Sequence, residues 1–192
     1  MKYILKPAAT LFITAIITVA ALSIVYNLTL EPIEKQKNRT QEAAMREVMP
    51  KATEYIKMET EKTGNIIDVY EGYYSSVALD EKILIGYVVQ LSPEGYSGNI
   101  DIIVGVSVAD NKISGMRVLR HTETPGLGAL AVKEDFYRRY EDRELMLLGV
   151  VRSSPGENEI QAITSATITT KAITNAVNEA IEWSLAMNRG EE

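Results

Sequence analysis

Asn99-Ile100-Asp101-Ile102-Ile103-Val104-Gly105-Val106-Ser107-Val108, then Ala109-Asp110-Asn111-Lys112, then Ile113-Ser114-Gly115-Met116-Arg117-Val118-Leu119: this stretch decides the fold. Two apolar runs flank a short polar connection, which signals a hairpin. Strands joined this way are antiparallel. Upstream, residues 82–91 and 66–74 read as further strands, the second with an irregularity at Gly72. Downstream, residues 134–141 read as helix and 145–151 as another strand. The last element is the clearest. Ala172, Ile173, Ala176, Val177, Ala180, Ile181 and Leu185 recur at helical spacing, with Lys171, Asn175, Asn178, Glu179 and Glu182 on the other side. That predicts an amphipathic helix over 170–187, packed on the sheet. The expected class is α+β, a twisted antiparallel sheet flanked by helices.

The N-terminus has a different character. From Pro7 to Leu30, 24 positions carry no charge. A bilayer core of ~30 Å needs ~20 apolar residues, so this run can span it. A cleaved signal would have a shorter apolar core, and Ala20-Ala21-Leu22-Ser23 is a poor cleavage site. The expectation is a short cytoplasmic tail over 1–6 and a single transmembrane helix over 7–30. Lys2 and Lys6 precede the span, while Lys35, Lys37, Arg39 and Arg46 follow it, so charge counting alone does not orient it. The short tail favours N-in, with the body on the extracytoplasmic side of the cell (inner) membrane. Residues 31–62 are rich in helix formers, with Pro32 suited to a first helical turn and Pro50 to a break. They read as a helical linker, and 63–192 as the functional domain.

Composition excludes several chemistries. The chain has 192 residues, with 20 basic and 26 acidic side chains and a net charge of −6. Only two basic residues and no acid precede Glu31, so the body carries −8. Nucleic acid is not an expected partner, because phosphate backbones need clustered Lys and Arg. There is no Cys and one His, His121. Disulfides, Cys-ligated zinc and iron–sulfur clusters held by this chain alone are out. No metal site is expected. The GxxxxGK[ST] and GxGxxG patterns are both absent, which argues against triphosphate hydrolysis and a Rossmann site.

Three loop-like segments remain. They are Ser92-Pro93-Glu94-Gly95-Tyr96-Ser97-Gly98, His121-Thr122-Glu123-Thr124-Pro125-Gly126-Leu127-Gly128 and Thr164-Ser165-Ala166-Thr167-Ile168-Thr169-Thr170. Each alone is explained by turns and caps. The third has a further reading. Small residues followed by a helix leave backbone N–H groups unpaired and favour an anion. A hydroxyl at Thr167 can cap the helix, bind a phosphate or be esterified by one.

Thr164-Ser165-Ala166-Thr167-Ile168-Thr169 resembles the S/T-G-A-T-x-T/S flavinylation motif. The other two segments are similar to the rest of the FMN-binding domain in the same proteins. With the single N-terminal span, the chain resembles the G subunit of the Rnf electron transport complex over nearly its whole length. The related C subunit of the sodium-pumping NADH:quinone reductase shares the motifs but is usually longer. A third reading is a non-redox anchored binding domain that has lost its flavin.

The resemblance implies covalent FMN on Thr167 through a phosphodiester, installed by a separate flavin transferase. It implies a redox subunit of an ion-translocating ferredoxin:NAD oxidoreductase complex, with little activity alone and no catalytic side chain of its own. Other membrane and peripheral subunits are the implied partners. Thr164, Ser165, Ala166 and Thr169 would surround the attachment point. Tyr96 and Leu127 would wall the ring, and Glu123, Thr124 and the Gly126–Gly128 backbone would meet its polar edge. Two positions depart from the motif: Ser165 stands for its Gly, and Gln161 for an Asp six residues before the acceptor.

Overall fold

The computed structural model describes residues 2–59, 63–76 and 81–190. Met1 of the expected tail and residues 60–62 of the expected linker lie outside them. The chain forms two units, 1–41 and 42–192.

The first unit is helical. Helix α1 (Lys2–Val48) begins in it and is long and apolar enough to cross a membrane. Several of its polar side chains bond within their own helix. Thr10 and Thr18 donate to carbonyls one turn back, as does Asn27 to Ser23. Pro32 does not open a new helix as expected; α1 runs through it. The cost is one missing backbone donor in a solvent-exposed stretch.

The second unit is built on a five-stranded antiparallel sheet in the order β1-β2-β3-β4-β5. The strands are β1 (Glu54–Met58), β2 (Ile66–Ser76), β3 (Glu81–Leu91), β4 (Asp101–Ser107) and β5 (Lys112–Arg120). Helix α2 (Glu134–Tyr137) and a 3₁₀ turn at Arg138–Tyr140 occupy the stretch expected to be helical. Helix α3 (Thr167–Arg189) is the expected amphipathic helix.

The core has two layers. On one face, Ile173, Ala176, Val177, Ala180 and Ile181 of α3 join the buried cluster that holds Val89, Leu91, Ile102, Val104, Val106 and Met116. On the other face, Ala44, Met45 and Val48, from the end of α1, cluster with Val88 and Ile103. Both sides of β4 are therefore covered, and every residue after Asp101 in it is buried. Such a strand reads as a continuous apolar run.

Gly105 and Gly115 are register partners beneath Val48. A Cβ on Gly105 would sit 2.3 Å from the Val48 carbonyl oxygen, and one on Gly115 3.0 Å from the Val48 Cα. The Val48 carbonyl accepts from the Ser114 hydroxyl between them. The helix end rests on the sheet because these positions lack side chains.

Three expectations need correction. Residues 54–58, read as part of a helical linker, form β1, paired with β2 from Glu54↔Tyr73 to Met58↔Val69. Of the strand expected over 145–151, only β6 (Gly149–Val151) is extended in a ladder. It pairs in parallel with β7 (Glu159–Gln161), a strand not expected at all.

Candidate functional site

The loop between β3 and β4 and the loop after β5 leave the same end of the sheet, since Asp101 and Arg120 are register partners. Helix α3 begins there too. The three segments enclose a cleft of about 360 Å³, lined by Tyr96, Glu123, Thr124, Leu127, Gly128, Ser165, Ala166, Thr167, Ile168 and Thr169.

Its floor is the start of α3. The first backbone bond into the helix runs from the Thr170 amide to the Ala166 carbonyl. The amides of Thr167, Ile168 and Thr169 are the orphan donors of a helix start. Neighbouring hydroxyls are spoken for. Thr169 donates to Glu123 at 2.6 Å. Thr170 accepts from the Ile163 amide and donates to the Ala166 carbonyl. The half-buried Thr167 hydroxyl has no hydrogen-bond partner among the described residues. Ser165, just before the helix, has φ of 62°. That left-handed conformation favours glycine.

One wall is Thr124-Pro125-Gly126-Leu127. The Leu127 amide donates to the Thr124 carbonyl at 3.1 Å, and Gly126 has φ of 78°. Pro at the second position and a positive-φ Gly at the third are the marks of a type II turn. The other wall is the 92–98 loop, closed by the Gly95 amide donating to the Gly98 carbonyl. Tyr96 (71 %), Ile168 (56 %) and Leu127 (39 %) are exposed around the mouth. Three large apolar side chains left in water at one cleft suit a flat apolar ligand.

Glu123 lies buried beneath them. One carboxylate oxygen accepts from the Tyr96 amide at 2.8 Å and the Ser97 amide at 2.9 Å, and the other from Thr169. Burial alone would raise this carboxyl. The Ser97 amide, the Thr169 hydroxyl, the Tyr96 amide and nearby His121 instead hold it below its ordinary value. His121 Nδ1 accepts from the Glu123 amide.

The structure gathers nine of the eleven expected site residues into the cleft lining; Thr164 and Gly126 stand outside it. Sequence reasoning missed Ile168. Its signal was there, because it falls off the apolar stripe of α3 yet is a large apolar residue. Glu123 and Thr169 are also differently engaged than expected, each bonded to the other.

The segments that build this cleft fall within a domain of the FMN-binding class. The family model described as FMN-binding domain matches residues 95–182, and that described as RnfG N-terminal region matches residues 1–48. Among solved structures, the chain is similar to the C subunit of the sodium-translocating NADH-quinone reductase of Parabacteroides distasonis. The TM-score is 0.58 at 17 % identity, covering 79 % of this chain and 93 % of that one, a likeness of fold.

Curated relatives match along almost the whole chain. The G subunit of the sodium-translocating ferredoxin:NAD(+) oxidoreductase complex of Acetobacterium woodii is 32 % identical, over 94 % of this chain and 91 % of the relative. The G subunit of the proton-translocating complex of Clostridium ljungdahlii is 35 % identical, over 90 % and 86 %. The chain belongs to the G-subunit family of ion-translocating (Rnf) oxidoreductase complexes.

Proposed function

We propose that this chain is a membrane-anchored electron-transfer subunit with FMN on Thr167, held through a phosphodiester. The observation that carries this reading is the free Thr167 hydroxyl, set in the cleft beside three orphan amides and beneath exposed apolar walls. Attachment would draw on FAD: the Thr167 oxygen would bond to the FMN phosphorus as the pyrophosphate link breaks, with AMP leaving and the hydroxyl proton released. A separate flavin transferase supplies the catalysis.

The residues fit this group. A phosphodiester keeps one negative charge, and a helix start favours an anion by about 0.3–1 kcal/mol. Tyr96, Leu127 and Ile168 offer apolar faces to the ring, and the 126–128 backbone can donate to its polar edge. The tether makes the flavin an intramolecular ligand, so loss by diffusion no longer limits occupancy. The flavin supplies the redox chemistry; the protein supplies orientation and electrostatics.

In this reading, α1 is a single-pass anchor in the cell (inner) membrane, and the domain lies on its extracytoplasmic side. Other membrane and peripheral subunits of an Rnf-type complex are the partners, and ferredoxin and NAD react elsewhere in it. One relative's name specifies sodium and another's protons, so family membership alone does not choose the coupling ion.

Intact and peptide mass spectrometry of the full chain, co-expressed with its flavin transferase, tests the reading. The expected result is an FMN-sized adduct on the Thr167 peptide, absent from Thr167→Ala. An unmodified wild-type peptide overturns it and favours an anchored domain that has kept the fold without the flavin.

A further inference from the structure

Glu123 is bonded to residues from two distant segments. Its carboxylate accepts from Tyr96 and Ser97, 27 and 26 positions upstream, and from Thr169, 46 positions downstream. The backbone around it is shaped to leave it room. A Cβ on Gly95 would lie 2.5 Å from one carboxylate oxygen, and a Cβ on Gly128 2.2 Å from the other. The same two loops meet again where the Thr122 hydroxyl donates to the Ser97 carbonyl at 3.2 Å. Both oxygens of a buried carboxylate are therefore engaged inside the protein, beneath a cleft whose three exposed apolar walls come from three segments.

We propose that Glu123 is a positioning residue of the flavin cleft and not a ligand of the flavin. It pins the Tyr96 wall and the Leu127 wall to the first turn of α3, where Thr167 is presented, and it does so before any flavin is attached. The inference rests on the FMN reading only for its last consequence; the pin itself acts in flavin-free protein. Hydrogen bonds to a charged group are the stronger kind, and removing the acceptor leaves two amides and a hydroxyl without their partner.

The test uses the full chain in lipid nanodiscs, first made without flavin transferase. Amide hydrogen exchange is followed in the peptide covering 92–100. In Glu123→Ala, exchange at Tyr96 and Ser97 should quicken by about tenfold to a hundredfold, the loss expected for bonds to a charged acceptor. Glu123→Gln should restore most of the protection. Its amide oxygen can accept from both N–H groups, and its NH₂ can donate to Thr169, whose hydroxyl also accepts. Thr169→Val should loosen the link to α3 while leaving the Tyr96 and Ser97 bonds in place.

With transferase present, Glu123→Ala should lose most of the visible circular dichroism of the bound flavin, and Glu123→Gln should regain it. Unchanged exchange in Glu123→Ala overturns the proposal. So does a Glu123→Gln variant with wild-type exchange and altered flavin dichroism, which would make Glu123 a direct flavin contact. If Glu123→Ala fails to fold, the Gln and Val variants still decide. The flavin-free exchange stands whether or not Thr167 carries FMN, so failure of the pin and failure of the FMN reading are distinguishable.

Discussion

Ser165 holds a backbone conformation, φ of 62°, in which a Cβ is crowded and glycine is not. The flavinylation motif has glycine there. The serine thus reproduces the motif's shape at a local cost. Ser165→Gly should raise the unfolding free energy by about 0.5–1 kcal/mol, the relief of strain less the extra entropy of glycine in the unfolded chain. Chemical denaturation of the full chain in detergent would measure it. Gln161, the second departure, is exposed, and its backbone carbonyl accepts from Arg139.

Glu123 makes the pH dependence specific. Its folded-state carboxyl is held below the unfolded value of about 4.3. Its contribution to stability is therefore complete above that unfolded value and lost as pH falls through the lower folded one. Between pH 6 and pH 3, wild-type denaturation midpoints should fall more steeply than those of Glu123→Gln, which lacks this titration. The position of Thr167 was legible because a local motif marks it. The bonds of Glu123 were not, because its partners lie tens of residues away and no spacing encodes them. Ile168 was legible in principle, as an apolar residue off the stripe of its helix.

At the scale of elements, the central hairpin and α3 declared themselves through long, regular periodicity. Strand β1 did not. Glu54-Tyr55-Ile56-Lys57-Met58 is five residues long with charges at two positions, and pairing along β2 decides its conformation. Strands β6 and β7 have three residues each, too few for any period to show. The seat of α1 on the sheet was equally hidden, since no spacing links Gly105 and Gly115 to Val48, tens of residues upstream. It makes a sharp prediction. Gly105→Ala would press a methyl group against the Val48 carbonyl, which is backbone and cannot swing aside. The expected loss is about 1–3 kcal/mol, the usual range for overpacking. A lowered denaturation midpoint with an unchanged slope would show that native packing had been lost and the denatured state left alone.

For the molecule as a whole, the division of labour follows composition. All the acids lie beyond the apolar run, so the functional unit is strongly anionic and the anchor is neutral between Pro7 and Leu30. The anchor's threonines and Asn27 bond to their own helix, which suits a segment in lipid, where unpaired polar groups are costly. The cleft belongs to the second unit and draws on segments near positions 96, 125 and 167. Chains are made from the N-terminus onward. The two loops that wall the cleft leave the ribosome well before Thr169, which supplies the bond to Glu123. A nascent chain stopped before α3 would have an aromatic wall, a turn and a carboxylate, but no seat for them. On the proposed reading, loading the flavin would be a finishing step, since the cleft is complete only once α3 has been made.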